Sequence, residues 1–365
     1  MLKPPPIACW CGSHQAIPKA CCKRFTKPRL STQGRGVSGV KRERNMSNIG
    51  EVDGQQRRFP LWYHPLYTEG IHPEARFPRD RYELLRLRLI DSDVFDTMTF
   101  RTPGALEKNL LLLAHGSDYV HRFLAGELTV KEEKRIGLTP WTPDMIQRTL
   151  CLTGGAVEAT EYAVMNGGIS GNMAGGTHHA HRDFGSGYCV FNDLAISALY
   201  AVHRLNVERV AVLDLDVHQG DGTATILSDE SRVCTISVHC ETNFPFRKST
   251  SDHDLPVAAQ GGDVAYLEKV QEALDICMDF EPALVLFQAG VDGLEDDALG
   301  KLNVSRAGME ERNRLVFEAA HARQIPVVIF MGGGYAKPIE ATLEAFVDLF
   351  TAAAKWNQTY PSGSP

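Results

Sequence analysis

The chain has no apolar run approaching the ~20 residues that a membrane-spanning helix needs. It has no internal repeat, which removes solenoids and propellers. Its nine cysteines include no CxxC pair. Four of them (Cys9, Cys11, Cys21 and Cys22) crowd into the first 45 residues, at spacings that match no zinc finger. The other five are scattered, as in a reduced, intracellular protein rather than a disulfide framework. Acidic residues are absent until Glu43, so residues 1–45 hold ten Lys/Arg against one acid. That segment carries +9. With a net charge of -7 over 365 residues, the remainder carries -16. So acidic a body disfavours direct nucleic-acid binding and favours cationic partners.

What is present suffices for a large core. Hydrophobic residues make up 43% and charged residues 23%, which suits one large α/β domain or two smaller ones. Three readings of the basic leader stay open: an organellar transit peptide, a tail upstream of a working initiator at Met46, or a disordered basic arm. Pro4-Pro5-Pro6 argues against an amphipathic targeting helix at its start. The location expected is therefore cytoplasmic, with plastid, mitochondrion or nucleus as alternatives. Residues 1–56 are assigned to the leader, 57–355 to a catalytic domain and 356–365 to a polar, frayed tail.

Beyond Phe59 the pattern alternates. Pro78 opens a helix with Tyr82, Leu85 and Leu89 on one face. Asn109 to Ala114 reads as a strand, with a turn at His115-Gly116-Ser117-Asp118. Pro143 to Met165 is a long helix with small residues in its middle. Asn192 caps a helix from Asp193 to Arg204. Strands follow at Val210–Leu213, Val233–Val238, Ala283–Phe287 and Ile325–Met331. Helices lie between them at Asp263–Met278 and from Ser305 to about Arg323, and a last helix carries Leu343, Phe346, Val347 and Phe350. Strands alternating with helices predict a single-domain, doubly wound, mostly parallel sheet with helices on both faces.

The unusual polar residues sit where such strands end. Val210–Leu213 runs into Asp214, Asp216, His218 and Asp221, with Gly220 and Gly222 closing a turn. A buried strand cannot end in carboxylates unless something neutralises them. On an extended backbone, Asp216 and His218 point the same way. The plain alternative is a turn whose Asp residues cap amides. Three Asp and a His within eight residues speak against it. Asp292 follows a second strand, and Tyr335 follows a third on a triple-glycine loop. A Gly-rich loop carries His178 and His179. Ligands bind at the carboxyl edge of a parallel sheet, so these groups should meet. Asp216, His218 and Asp292 then form a three-ligand catalytic metal site with an open position. Two carboxylates cancel the ion's charge and leave its water less acidic, so a base is needed. His178 and His179 are that base and its neighbour, oriented by Asp214 and Asp221. Tyr335 can donate to an oxyanion. These are the parts for hydrolysing an amide.

Gly-Gly-Thr-His178-His179-Ala, Gly187-Tyr188-Cys, Asn192-Asp193, Asp214-Leu-Asp216-Val-His218-Gln-Gly-Asp221-Gly, Ala-Gly-Val-Asp292 and Gly-Gly-Gly-Tyr335 together resemble the histone deacetylase superfamily, zinc-dependent acyl-lysine hydrolases of arginase-like fold. The likeness runs from about residue 60 to 350. Tyr63-His64-Pro65, Arg76-Phe77-Pro78 and Asn243-Phe-Pro-Phe-Arg247 are most similar to its class IV and bacterial branch. It implies one zinc ion per chain on Asp216, His218 and Asp292. It also implies His179 as general base and then acid, His178 as its electrostatic partner, and Tyr335 polarising the acyl carbonyl. Gly187, Tyr188 and Phe244 would wall the acyl-lysine tunnel, with Tyr188 where the family usually has Phe. A structural potassium ion would lie on the carbonyls of Asp214, Asp216 and His218 with Ser237 and Val238. The substrate implied is an acetylated or longer-acylated protein lysine. The alternatives are a small acylated amine such as an acetylpolyamine, or a two-metal ureohydrolase of the same fold. The last needs further bridging carboxylates, but Leu215 and Gly220 stand in their places. A non-enzymatic binding module is opposed by the presence of every residue the chemistry needs.

Deleting residues 1–45 should leave the melting temperature and the activity unchanged, because the segment has no core-forming pattern. A large drop on thermal unfolding of the truncated chain would contradict this.

Overall fold

The computed structural model describes residues 57–361. Eight strands form one sheet: β1 (Phe59–Trp62), β2 (Met98–Arg101), β3 (Ile169–Asn172), β4 (Val210–Asp214), β5 (Val233–Cys240), β6 (His253–Val257), β7 (Leu284–Gln288) and β8 (Val327–Phe330). Their order is β2-β1-β3-β8-β7-β4-β5-β6, and every neighbouring pair is parallel. Helices cover both faces, giving the arginase-like α/β architecture expected. Val210, Ala211, Val212 and Leu213 are buried, as a central strand covered on both sides demands.

The register aligns the strand ends. Asn172 of β3 pairs with Phe330 of β8, Phe330 with Gln288 of β7, Gln288 with Asp214 of β4, and Asp214 with Ser237 of β5. Four adjacent strands thus end on one row and launch their loops from the same edge, while β5 runs on beside them to Cys240.

Four strands escaped the sequence reading. β1 and β6 contain Pro60 and Pro256, and β2 and β6 are the sheet edges, where pairing on one side is enough. β3 is Ile-Ser-Gly-Asn, with no β-branched run, yet fully buried. Its polar groups are satisfied by a neighbouring helix: Ser170 Oγ donates to Ala159 O (2.7 Å) and Asn172 Nδ2 to Leu152 O (3.0 Å).

Three expectations are corrected. Asn109–Ala114 is not a strand but most of the helix Lys108–Ala114. Its leucines are unbranched at Cβ and favour helix, and only Leu111 and Ala114, three apart, are buried. The turn expected after it is a junction, because a second helix starts at Ser117. The tail is packed rather than frayed as far as Tyr360. The last helix, Glu340–Asn357, ends on a buried Asn357 whose Oδ1 accepts from Ile169 N (2.8 Å), and Tyr360 Oη donates to Ile325 O (3.0 Å). The leader lies outside the described residues.

The helix Met145–Asn166 passes its small residues against backbone. A Cβ on Gly154 would lie 2.0 Å from Gly104 O. Alanine's helix propensity would gain about 1 kcal/mol there, but a backbone carbonyl cannot swing aside, and overpacking costs about 1–3 kcal/mol. Gly154→Ala should therefore lower stability in urea unfolding. A rise in the midpoint would refute the contact.

Candidate active site

Asp214 ends β4, and the chain then bends through residues 216–218 instead of continuing as a strand. The bend, not a strand pleat, brings Asp216 and His218 together. His218 Nδ1 lies 3.1 Å from Asp216 Oδ1 and 3.0 Å from Asp292 Oδ2. One donor atom from each of the three residues falls within 4.8 Å of the others, and all three are buried. Backbone amides fix the carboxylates. Gly333 N donates to Asp216 Oδ2 (2.8 Å), His218 N to Asp216 Oδ1 (3.0 Å) and Val217 N to Asp292 Oδ1 (3.0 Å). Gly333 must be glycine, since a Cβ there would sit 1.8 Å from Asp292 Oδ2.

The electrostatics of this trio call for a cation. Burial, with Asp216 beside it, pushes Asp292 up to about 7. Burial opposes a charge on His218, but Asp292 and Asp216 push its pKa up to about 10. Burial would raise Asp216 too, but His178 and His218 hold it well below the usual carboxylate range. A proton on His218 thus stands where two carboxylates demand positive charge. Two oxygens and one imidazole nitrogen are a donor set that fits a borderline divalent ion such as zinc.

The loop 175–192 leaves the end of β3, so it springs from the same edge as the other loops. His178 Nδ1 is 2.8 Å from Asp214 Oδ2, and His179 Nδ1 is 2.7 Å from Asp221 Oδ1. The two rings lie 4.1 Å apart. Burial disfavours charge on both, but the outcomes differ. Asp214 and Asp216 push His178 up to about 9. His179, with His178 as a neighbour, is pushed down to about 3 despite Asp221. Asp221 is itself held low by His179 and His181 against its burial. His179 therefore carries its proton on Nδ1 and leaves Nε2 as an acceptor.

Above this floor opens a cavity of ≈ 530 Å³. Gly187, Tyr188, Phe244 and Tyr335 line it, with Phe77. Phe77 meets Tyr188 edge-on at 5.3 Å and Tyr335 at 6.1 Å, and Phe244 packs edge-on against His179 at 4.8 Å. Burial raises the Tyr335 phenol well above 10, so it remains a donor. Ser237 and Val238 lie outside the cavity, on β5 beside Asp214.

A family model described as "Histone deacetylase domain" matches residues 74–352. The chain belongs to the histone deacetylase family. It is an amide-hydrolysing enzyme. Among its relatives is an uncharacterized protein of the cyanobacterium Picosynechococcus, 42% identical over 77% of this chain and 93% of the relative. The acetoin utilization protein AcuC of Bacillus subtilis is 30% identical, over 74% and 76%. Histone deacetylase 2 of Arabidopsis thaliana is 27% identical, over 87% and 84%. A crystal structure of acetylpolyamine aminohydrolase from Burkholderia pseudomallei shares the fold. Its TM-score is 0.68 at 20% identity, covering 82% of this chain and 99% of that one. Among the described residues no helix is long and apolar enough to cross a membrane.

The sequence reading of this deacetylase-family site missed its supports. Arg81 is buried and donates to the carbonyls of Gly332 and Gly334 (3.0 Å each), which carry Tyr335. Arg312, also buried, donates to Gly290 O (2.5 Å) in the loop leading to Asp292. Asp193 accepts from the amides of Gly176 (3.0 Å) and Thr177 (2.7 Å), clamping the histidine loop. His181 shares Asp221 with His179, its Nε2 3.1 Å from Oδ2. Asp193, within the Asn192-Asp193 motif, and His181, two places after the His pair, had a visible signal, though not for these roles. The arginines sit on helices among other, exposed arginines.

His115 is a further support. Its Nε2 accepts from Asn192 N (2.8 Å) and its Nδ1 donates to His181 O (3.0 Å). Burial pushes its pKa down to about 4. Unfolded, it takes up a proton below about 6.5. Folded, it does so only near 4. The unfolded state thus binds more protons in between, and stability falls as the pH drops from 6.5 toward 4. Between pH 7 and 5 the loss from this group should be about 2 kcal/mol. Urea unfolding of wild type and His115→Gln at both pH values checks this. An equal pH slope in the two proteins would remove His115 as the source.

Proposed function

We propose that this enzyme is a zinc-dependent deacylase that frees lysine side chains of proteins, or small amines, from acetyl or longer acyl groups, with residues 57–355 as its catalytic domain. One observation carries the reading. Three metal-ligand side chains, two His–Asp pairs and a tyrosine converge on the floor of one aromatic-walled cavity. Asp216, His218 and Asp292 would hold one zinc ion, which when bound supplies Lewis-acid activation of water and of the acyl carbonyl.

The chain's own residues do the rest. Asp221 keeps the Nδ1 proton of His179 in place, so Nε2 takes the proton of the attacking water and then passes it to the leaving amine. His178, held by Asp214, is its electrostatic partner. Tyr335 donates its phenol hydrogen bond to the developing oxyanion. Phe77, Tyr188 and Phe244 enclose the methylene stem of the substrate and exclude water. A monovalent cation between the loop after β4 and residues Ser237 and Val238 would stiffen the ligand-bearing bend. The second reading, a small acylated amine, is favoured by the shared fold with the acetylpolyamine aminohydrolase.

Tyr335→Phe tests the assignment. The lost hydroxyl serves the transition state rather than the ground state, so turnover should fall about 10²–10³-fold while zinc content and melting temperature match wild type. Hydrolysis of a fluorogenic acetyl-lysine amide, with metal analysis of both proteins, measures this. Near-wild-type turnover at matched zinc content would place the oxyanion donor elsewhere. Two ions per chain would favour the ureohydrolase alternative.

A further inference from the structure

The cavity mouth differs in charge from the body that carries it. Away from the floor ligands Asp216 and Asp292, the charged residues lining the cavity are Arg81, Arg135 and Lys301, all cationic. Arg81 is buried and committed to the glycine loop. Arg135 and Lys301 are exposed and stand at the rim. Each has a neighbour at the mouth. The Arg135 guanidinium lies 4.7 Å over the Phe184 ring, and Lys301 Nζ approaches Thr242 O (3.5 Å), next to the loop that bears Phe244. Exposed Arg76, next in the chain to the lining residue Phe77, adds a third nearby; burial raises the Tyr188 phenol, and the Arg76 charge offsets part of that rise.

On the Tyr335 side the carboxylate of Asp297 is turned to backbone amides. Asp297 accepts from the amides of Tyr335 (2.6 Å), Leu299 (2.8 Å) and Gly300 (2.9 Å). Glu295 and Asp296 face solvent and line none of the cavity. Between the cationic side chains the lip is apolar, with Phe246 90% and Leu299 43% exposed.

The acidic composition of the chain suggests a cationic partner, but range decides against it. At physiological ionic strength a charge is screened over about 8 Å. A substrate whose amide sits on the cavity floor carries its flanking groups among Arg135, Lys301 and Arg76, not among the acids of the distant surface. A polyamine or a basic peptide tail would bring like charge there and would leave the apolar lip without a partner.

We propose that the rim selects an acylated lysine in a polypeptide whose neighbouring residues are acidic or apolar, and rejects polycationic acyl amines. This rests on the deacylase reading above. Four substrates test it on the zinc-loaded full chain: three acetyl-lysine peptides of one length, flanked by Glu, Ala or Arg residues, and an acetylated polyamine. At low salt, kcat/KM should be about tenfold higher for the Glu-flanked than for the Arg-flanked peptide, with the polyamine lowest. The ratio should shrink below about twofold in 0.5 M salt. Arg135→Glu and Lys301→Glu should each reduce it, and together reverse it. Anisotropy with labelled peptides on the metal-free protein should give the same order of Kd. Equal rates at low salt, a better Arg-flanked or polyamine substrate, or a preference that survives high salt or both substitutions would overturn the selection alone. Hydrolysis of none of the four would overturn the deacylase reading and this inference with it.

Discussion

Two carboxylates that would otherwise repel are held side by side in the interior, and the rest of the molecule is arranged around that fact. Asp216 and Asp292 follow adjacent strand ends, β4 and β7, and both are buried. Isolated, such charges would cost several kcal/mol each. Backbone amides take up part of the burden, and His218 between them takes up more. The remaining demand for positive charge is what makes the place suited to a divalent ion. The same demand explains the wall of glycines nearby, since any side chain at Gly333 would collide with Asp292.

Buried guanidinium groups complete the arrangement. Arg81 and Arg312 reach from helices to the carbonyls of the two loops that carry Tyr335 and Asp292. Each satisfies carbonyls that an irregular buried loop leaves over. Each also brings a permanent cation toward the carboxylates without competing for the metal position. On the other side, Asp193 does the reverse work with amides of the histidine loop. Irregular backbone is thus stiffened by charged side chains of the opposite polarity, and the reacting groups inherit that stiffness.

Much of this was legible in the sequence because chemistry and periodicity coincided there. In β4 a β-branched run that breaks into Asp, Asp and His marks a strand end and a ligand set at once, and β5, β7 and β8 were read as apolar runs alternating with helices. The same reading failed where burial is achieved by other means. β3 contains Ser170 and Asn172, which look like loop residues until a helix supplies their partners. Asn109–Ala114 looked like a strand because its leucines are consecutive, though leucine favours helix and only Leu111 and Ala114, three apart, are buried. Arg81, Arg312 and His115 carry no local signal, because their roles come from carbonyls and amides far away in the chain. The rim charges were hidden for a related reason: composition averages over a surface, whereas a substrate meets only one opening.

The place of β8 has a consequence for how the molecule comes into being. The last strand in the chain lies in the middle of the sheet, between β3 and β7. Val327 pairs with Ile169, 158 residues earlier. Until β8 is in place the other strands can form only two half-sheets, β2-β1-β3 and β7-β4-β5-β6, each with a bare edge. Such long-range pairing is slow and leaves aggregation-prone edges exposed meanwhile. Asp292 follows β7 and Tyr335 follows β8, so the two loops that carry them come to lie side by side only once β8 has paired.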